Sequence, residues 1–363
     1  MGQKKIGVAL VGCGNIGQIH AATLANLAAD GLPLRPVIAA DPVPENLENI
    51  ASNWPFERLV SDAKEVLSNP EVDAIFIATP TFTRRELVLA ALAAQKHLYA
   101  EKPLAPDFET VKEICRAAMA SPVIAQVGFQ MRCNAMHARV KKFIESNELG
   151  RPVCYQIRND ECWPTTAYMS YSTDWRSQRK FSGGGPLIEH SIHSFDLANW
   201  MFGPAKRVAA STRSVFGFDV EDAAAVSLEH ESGVIGTLMT IYGGVEGREE
   251  SRLEVFFEKG IVEITWGVLV DGEENRFRLQ RSGEPAQFIS LDELLQEQLF
   301  ELGIRARPFF WNELASRNFF KSIQTGAKAS PGFGDGLLAH AVVEAAYRSA
   351  TQKKAVELSE LLT

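Results

Sequence analysis

The run Val8–Gly17, VALVGCGNIG, constrains this chain more than any other stretch. An apolar segment passes straight into Gly12-Cys13-Gly14-Asn15-Ile16-Gly17, and a helical pattern, QIHAATLANLAA, follows at once. Strand, glycine turn and helix in that order form the context a dinucleotide fingerprint requires. Gly12 permits the tight turn, Gly14 lets a pyrophosphate reach the backbone, and Gly17 lets helix and strand pack closely. Asn15 and Ile16 belong to the turn before the helix Gln18–Ala29, whose free N–H groups and positive dipole end attract phosphate. Asp41 ends the next apolar run, Pro36–Ala40, where an acidic residue accepts hydrogen bonds from the adenosine ribose. A carboxylate there repels the extra phosphate of NADP, and no Lys or Arg follows it until Arg58, so NAD is favoured over NADP. The plainer alternatives are a glycine-rich turn without ligand and a strand-end aspartate before Pro42.

The first third alternates strands with helices: strands at Ile6–Val11, Pro36–Ala40, Ala74–Ala78, His97–Ala100 and Val123–Val127, with helical patterns between them. Such alternation predicts a doubly wound parallel sheet of Rossmann type, whose ligands lie beyond the carboxyl ends of the strands. Gly12–Gly17, Asp41, Thr79-Pro80 and Glu101–Pro103 all fall there. The texture then changes, which places one domain at 1–125 and a second at 126–363. The second reads as α+β, with an open-faced, mostly antiparallel sheet across Arg207–Gln280 and helices at Leu291–Gly303, Asn312–Thr325 and Gly336–Thr351. The helix 336–351 is a candidate to pack back on the first domain.

A second informative segment is Gly183–Gly203, GGGPLIEHSIHSFDLANWMFG. Pro186 suits a first helical turn. On a continuous helix Glu189 and His193, four apart, share a face. A carboxylate beside an imidazole orients it, which makes His193 a candidate general acid/base. His190 is the weaker candidate. The ExxxH spacing also suits a metal, but no third ligand is visible, and no metal site is expected. Lys102, fixed between Glu101 and Pro103 at a strand end, offers a cation to a substrate hydroxyl. The Lys102–Pro103 bond is a candidate cis peptide. The aromatic stretch Asp160–Ser182 supplies Trp163, Tyr168, Tyr171, Trp175 and Arg176 as a candidate substrate wall; core or dimer packing is the competing use of those rings.

The net charge of −8, with no basic block, argues against nucleic-acid binding. No stretch is apolar enough to span a bilayer, and the polar start runs directly into a core strand. The five cysteines lack metal spacing and read as reduced thiols, so a cytoplasmic protein is expected. Cys13 reads as a small residue, not a nucleophile.

These motifs resemble the glucose–fructose oxidoreductase/inositol dehydrogenase/rhizopine-catabolism (Gfo/Idh/MocA) family. The resemblance rests on VGCGNIGQIH, the ATP at Ala78–Pro80, KHLYAEKPL at Lys96–Leu104, VGFQMR at Val127–Arg132, ELGRP at Glu148–Pro152, DWR at Asp174–Arg176, the Gly183–Gly203 segment and the tail Gly334–Leu358. It implies an NAD(P)-dependent dehydrogenase acting on CH–OH groups of sugars, cyclitols or related polyols. It implies a homodimer or homotetramer formed through the second domain's sheet. Lys102 matches the lysine of the EKP motif and His193 the catalytic histidine, with Thr79, Pro80 and Glu101 beside the cofactor and Arg132 beside the substrate. Two positions depart from the family: Glu189 stands where Asp is usual, and Arg84 where His is frequent. Other outcomes for such a chain are a glycosidase or epimerase-like enzyme that keeps its NAD, and a non-catalytic cofactor-binding sensor.

Overall fold

The computed structural model describes residues 4–161, 174–243, 249–268, 275–304 and 310–362. The chain divides into two compact units, Met1–Gln130 with Pro308–Leu337, and Met131–Arg307 with Leu338–Thr363.

In the first unit, apolar runs form a parallel sheet whose inner strands are largely buried on both faces, while the edge strand Arg58–Val60 is exposed. The strands are β1 (Ile6–Val11), β2 (Leu34–Ala40), β3 (Arg58–Val60), β4 (Ala74–Ile77), β5 (His97–Ala100) and β6 (Ala125–Val127), ordered β3-β2-β1-β4-β5-β6 and all parallel. The order reverses at β1 and β4, and the glycine loop leaves β1 at that switch point. Helices Asn15–Ala29, Pro44–Asn53, Arg84–Ala93 and Phe108–Ala120 connect the strands. Asp107 caps the last of these by accepting from the Thr110 N–H at 2.9 Å.

The sequence assigned all of 126–363 to the second domain, yet 310–337 packs in the first unit. The cause is an aromatic core that the first 130 residues leave incomplete. Phe76 and Tyr99, from adjacent strands, stack at 5.0 Å, and Phe319 and Phe320 of helix Phe310–Thr325 close on Phe76 at 5.6 and 5.9 Å. Arg317 of that helix pairs with Asp30 and Glu313. Helix Phe333–Gln352 begins in this unit, where Gly336 leaves no room for a Cβ against Leu104.

The second unit is built on β7 (Pro152–Asp160), β8 (Ala205–Arg213), β9 (Ala223–His230), β10 (Ile235–Ile241), β11 (Glu249–Phe257), β12 (Gly260–Val268), β13 (Arg276–Arg281), β14 (Gln287–Ser290) and β15 (Val356–Glu357). Their order is β14-β13-β12-β11-β7-β10-β9-β8-β15. Every pair is antiparallel except β7–β10, which is parallel, so β7 is wedged between two meanders. Alternation puts Tyr155, Ile157, Val226, Leu228 and Leu238 on a buried face, whereas Ile235 and Met239 are half exposed or more on the other. Tyr155 stacks on Phe202 at 4.5 Å and lies over Gly236, where a Cβ would be 2.0 Å from the ring.

On the buried side, His137 of helix Ala135–Ser146 meets Trp266 edge-on at 4.6 Å, and its Nδ1 bonds the Met131 carbonyl at 3.0 Å. Burial pushes its pKa down to about 4 from 6.5. A depressed histidine stabilises the fold fully above pH 6.5 and less as pH falls towards 4, because only the unfolded chain takes up the proton in that window. The unfolding free energy should therefore drop there by about 1.4 kcal/mol per pH unit from this group. Urea melts of wild type and His137→Gln across that range measure the difference in slope; equal slopes would contradict the assignment.

Candidate active site

The glycine loop takes the conformation its residues demand. Gly12 has φ +92°, and a Cβ there would sit 2.7 Å from the Ala78 backbone. A Cβ on Gly17 would lie 2.2 Å from the Gly12 carbonyl oxygen. Gly14 instead faces open space, with nothing within 4 Å of a would-be Cβ. It is the N-cap of helix Asn15–Ala29, which has no side-chain cap and no acidic residue in its first turn. An uncapped, acid-free helix start approached through a glycine is what a pyrophosphate requires, so these residues fit a dinucleotide. Gly17→Ala should weaken NADH binding at least tenfold and destabilise the fold by about 1–3 kcal/mol through overpacking. NADH fluorescence titration and urea melts would show this, and unchanged binding would count against the loop.

Asp41 is buried and braces this loop. Its Oδ2 accepts the Cys13 N–H at 2.7 Å, and its Oδ1 accepts the Val43 N–H at 2.8 Å and the Asn46 amide at 3.2 Å. Burial, reinforced by Asp41, pushes the Cys13 thiol up to about 12, which removes it as a nucleophile. Among the described residues Cys13, Cys115, Cys133 and Cys154 are free thiols.

Thr79-Pro80 and Glu101-Lys102 follow adjacent strands β4 and β5. The Lys102–Pro103 peptide is cis. Glu101, expected beside the cofactor, turns inward: its Oε1 meets His20 Nε2 at 3.0 Å and its Oε2 accepts the Lys102 N–H at 3.2 Å. Burial alone would raise the Glu101 pKa, but the His20 hydrogen bond and the charges of His20, Arg84 and Lys102 outweigh it and hold the carboxyl below its ordinary value. Gly128 lies against this carboxylate, with 2.8 Å from a would-be Cβ to Oε1. Lys102 itself is half-buried.

The second unit carries the other group of candidates. The continuous helix expected from Pro186 onward is broken. Helix Pro186–Glu189 ends at His190-Ser191, and a new helix runs Ile192–Phe202. Glu189 and His193 therefore lie on successive helices, and the four-residue spacing no longer sets their relation. Side chains from distant sequence meet the chain at and just beyond this break. Asn159 at the end of β7 donates to Ser191 Oγ at 3.2 Å and Ser194 Oγ at 2.8 Å, while His190 Nδ1 pairs with Glu161.

Glu189 is buried and accepts from Arg176 Nε at 3.1 Å; the Arg176 guanidinium also lies 4.5 Å over the Trp175 ring. These three residues therefore meet. His193, half-buried, sits in the first turn of the next helix. Trp163, Tyr168 and Tyr171 lie outside the described residues. Arg132, expected at the substrate, is buried instead. Its Nε and Nη2 donate to Asp196 at 2.8 and 2.6 Å, fixing the helix that carries His193.

Three further side chains of this unit, Glu221, Tyr347 and Tyr242, carry no signal in the sequence. Glu221, 3% exposed, accepts the N–H groups of Gly185 at 3.0 Å and Leu187 at 3.3 Å and the Tyr347 hydroxyl at 2.8 Å. Burial raises its pKa against these hydrogen bonds. Gly184 and Gly185 are required beneath it, since a Cβ would come within 2.0 Å of the Tyr347 hydroxyl or 1.8 Å of the Glu221 carbonyl. Tyr242 is fully buried; burial first, then the charges of Glu161, Glu189 and Glu221, push its hydroxyl well above its ordinary pKa. Only the glycine run hinted at this crowding. Among the described residues no group of three His, Cys, Asp or Glu side chains could hold a metal ion, and no helix is long and apolar enough to cross a membrane.

Comparison with known proteins bears on both units. Residues 6–129 match an oxidoreductase family with an NAD-binding Rossmann fold, and residues 137–263 match the GFO/IDH/MocA C-terminal domain. The chain is 27% identical to the myo-inositol 2-dehydrogenase of Thermotoga maritima, over 98% of this chain and 99% of that protein. It is 36% identical to inositol 2-dehydrogenase 2 of Mycolicibacterium vanbaalenii, over 74% of this chain and 80% of that one. Its fold is similar to that of levoglucosan dehydrogenase solved with NADH and levoglucosan, with a TM-score of 0.84 at 21% identity over 98% and 99% of the two chains.

Proposed function

Since the chain belongs to the GFO/IDH/MocA oxidoreductase family and carries its NAD-binding Rossmann domain, we propose that it moves a hydride between nicotinamide and a hydroxyl-bearing carbon of a sugar, cyclitol or related polyol. The observation that carries this reading is the pairing, in one unit, of an uncapped helix start behind Gly14 with Lys102 at the end of β5. The names of the relatives, inositol and levoglucosan dehydrogenases, point to neutral polyhydroxylated substrates.

When bound, NAD⁺ supplies the hydride acceptor. The helix start at Asn15 holds its pyrophosphate, and the buried Asp41 charge opposes a 2′-phosphate. Lys102 polarises the substrate oxygen. His193 accepts the hydroxyl proton at an imidazole nitrogen. Glu189 holds Arg176 flat on Trp175 as part of the substrate wall. In this reading Glu101 and Arg132 position their neighbours and do not touch ligand.

The same reading extends to assembly and place. The outer face of the second sheet, with Ile235 and Met239 exposed, joins copies into a homodimer or homotetramer, and the protein works in the cytoplasm with its thiols reduced. Light scattering of the purified protein tests the assembly; a monomer would refute it.

Activity is tested by NADH formation from NAD⁺ with a panel of sugars, sugar acids and inositols, with NADP⁺ in parallel. Substrate-dependent NADH, weaker with NADP⁺, is expected. NAD released only on denaturation, without net NADH, would replace the dehydrogenase by a cofactor-retaining enzyme. Silence with no bound cofactor would refute the reading.

A further inference from the structure

Arg84 is the first residue of helix Arg84–Ala93, and it is 6% exposed. Its Nε and Nη2 donate to the Thr79 carbonyl at 2.9 and 2.6 Å, and its Nη1 donates to the Pro103 carbonyl. Thr79 follows β4 and Pro103 follows β5. These strands are parallel neighbours whose last paired residues are Ile77 and Ala100. One planar guanidinium thus bridges the two loops that leave the carboxyl ends of adjacent strands. Lys102 immediately precedes Pro103, so its peptide is held from both sides: Glu101 Oε2 receives its N–H, and Arg84 holds the next carbonyl. His20, itself buried, secures Glu101 in turn.

We propose that Arg84 is a positioning residue for Lys102, fixing the stem of that lysine by clamping the Thr79 and Pro103 carbonyls together. The proposal rests on the reading of Lys102 as the group that polarises the substrate oxygen. Its physical content is the fork. Arginine presents donors in a rigid plane that meets two carbonyls at once, whereas lysine presents a point charge on a flexible stem. Lysine at 84 keeps the charge and loses the second anchor. The loop after β5 then gains freedom, and the Lys102 ammonium spends less time where it acts. Misplacement of a reacting group by about 1 Å can cost on the order of 10²-fold in rate.

The test is a double-mutant cycle of Arg84→Lys and Lys102→Met, with Arg84→Gln as a second variant should the lysine protein fail to fold. The probe is the panel substrate that gives the fastest NADH formation, and kcat, the KM for NAD⁺ and NADH affinity are measured for each protein. Arg84→Lys is expected to lower kcat by about 10- to 100-fold, to leave the KM for NAD⁺ within about threefold, and to lower nothing further in the Lys102→Met background. An equal factor lost in both backgrounds would show a general structural role and overturn the proposal. Loss of NADH binding in step with kcat would overturn it in favour of a cofactor-site defect. Wild-type turnover in Lys102→Met would instead refute the role of Lys102, and silence of the whole panel would refute the dehydrogenase reading; the clamp proposal falls with either.

Discussion

Replacing His193 with asparagine is expected to lower kcat by about 10²–10⁴-fold, the usual contribution of a positioned general base. Asparagine keeps a polar group near the imidazole Nδ1 position but cannot accept the substrate proton. His193 opens helix Ile192–Phe202, whose first turn is tied to β7 through Asn159 and Ser194. The backbone should therefore hold, and NADH affinity should stay within about threefold, which marks a transition-state loss without a binding loss. The pH dependence carries the sign. An imidazole base works unprotonated, so wild-type kcat/KM falls on the acid side, and the residual activity of His193→Asn lacks that limb. Stopped-flow and steady-state rates across pH 5–8 on the panel substrate read both effects. Retained turnover in the variant would favour a non-catalytic sensor.

Asp196→Ala should destabilise the second unit by about 3–5 kcal/mol, because it leaves the Arg132 guanidinium buried without its carboxylate. Asp196 is 1% exposed, and both of its oxygens take part in the fork. The cost is that of an uncompensated internal charge, since a buried pair as a whole contributes little net stability. Accordingly Arg132→Met with Asp196→Leu should recover most of the loss. Urea denaturation of the single and double variants tests this, and a loss below about 1 kcal/mol in Asp196→Ala would show that Arg132 is not desolvated as described. Asp196 lies three residues beyond His193, so the single variant should also lose activity before it unfolds.

Much of the first unit is legible from local pattern alone. Apolar runs ending in turn residues, the placement of Gly12, Gly14 and Gly17, and the capping Asp107 each act within a few residues of sequence. The corrections share a different cause. Where the helix after Pro186 breaks, Asn159 and Glu161 reach Ser191 and His190 from about 30 residues away. Gly184 and Gly185 make room for Tyr347 and Glu221, residues about 160 and 35 positions further along the chain. Arg132 takes its role from Asp196, 64 residues further on. The partners of Arg84 are backbone carbonyls, which carry no side-chain signature. Periodicity reports faces and turns; it is silent about which distant side chain meets which.

The completion of the first unit by residues 310–337 bears on how the protein is made. Phe76 and Tyr99 leave the ribosome early, but Phe319 and Phe320 follow about 220–245 residues later, roughly 11–49 s behind at ribosomal rates. During that interval the nascent first unit carries an open aromatic seam, apolar surface that favours aggregation if translation stalls before helix Phe310–Thr325 is released.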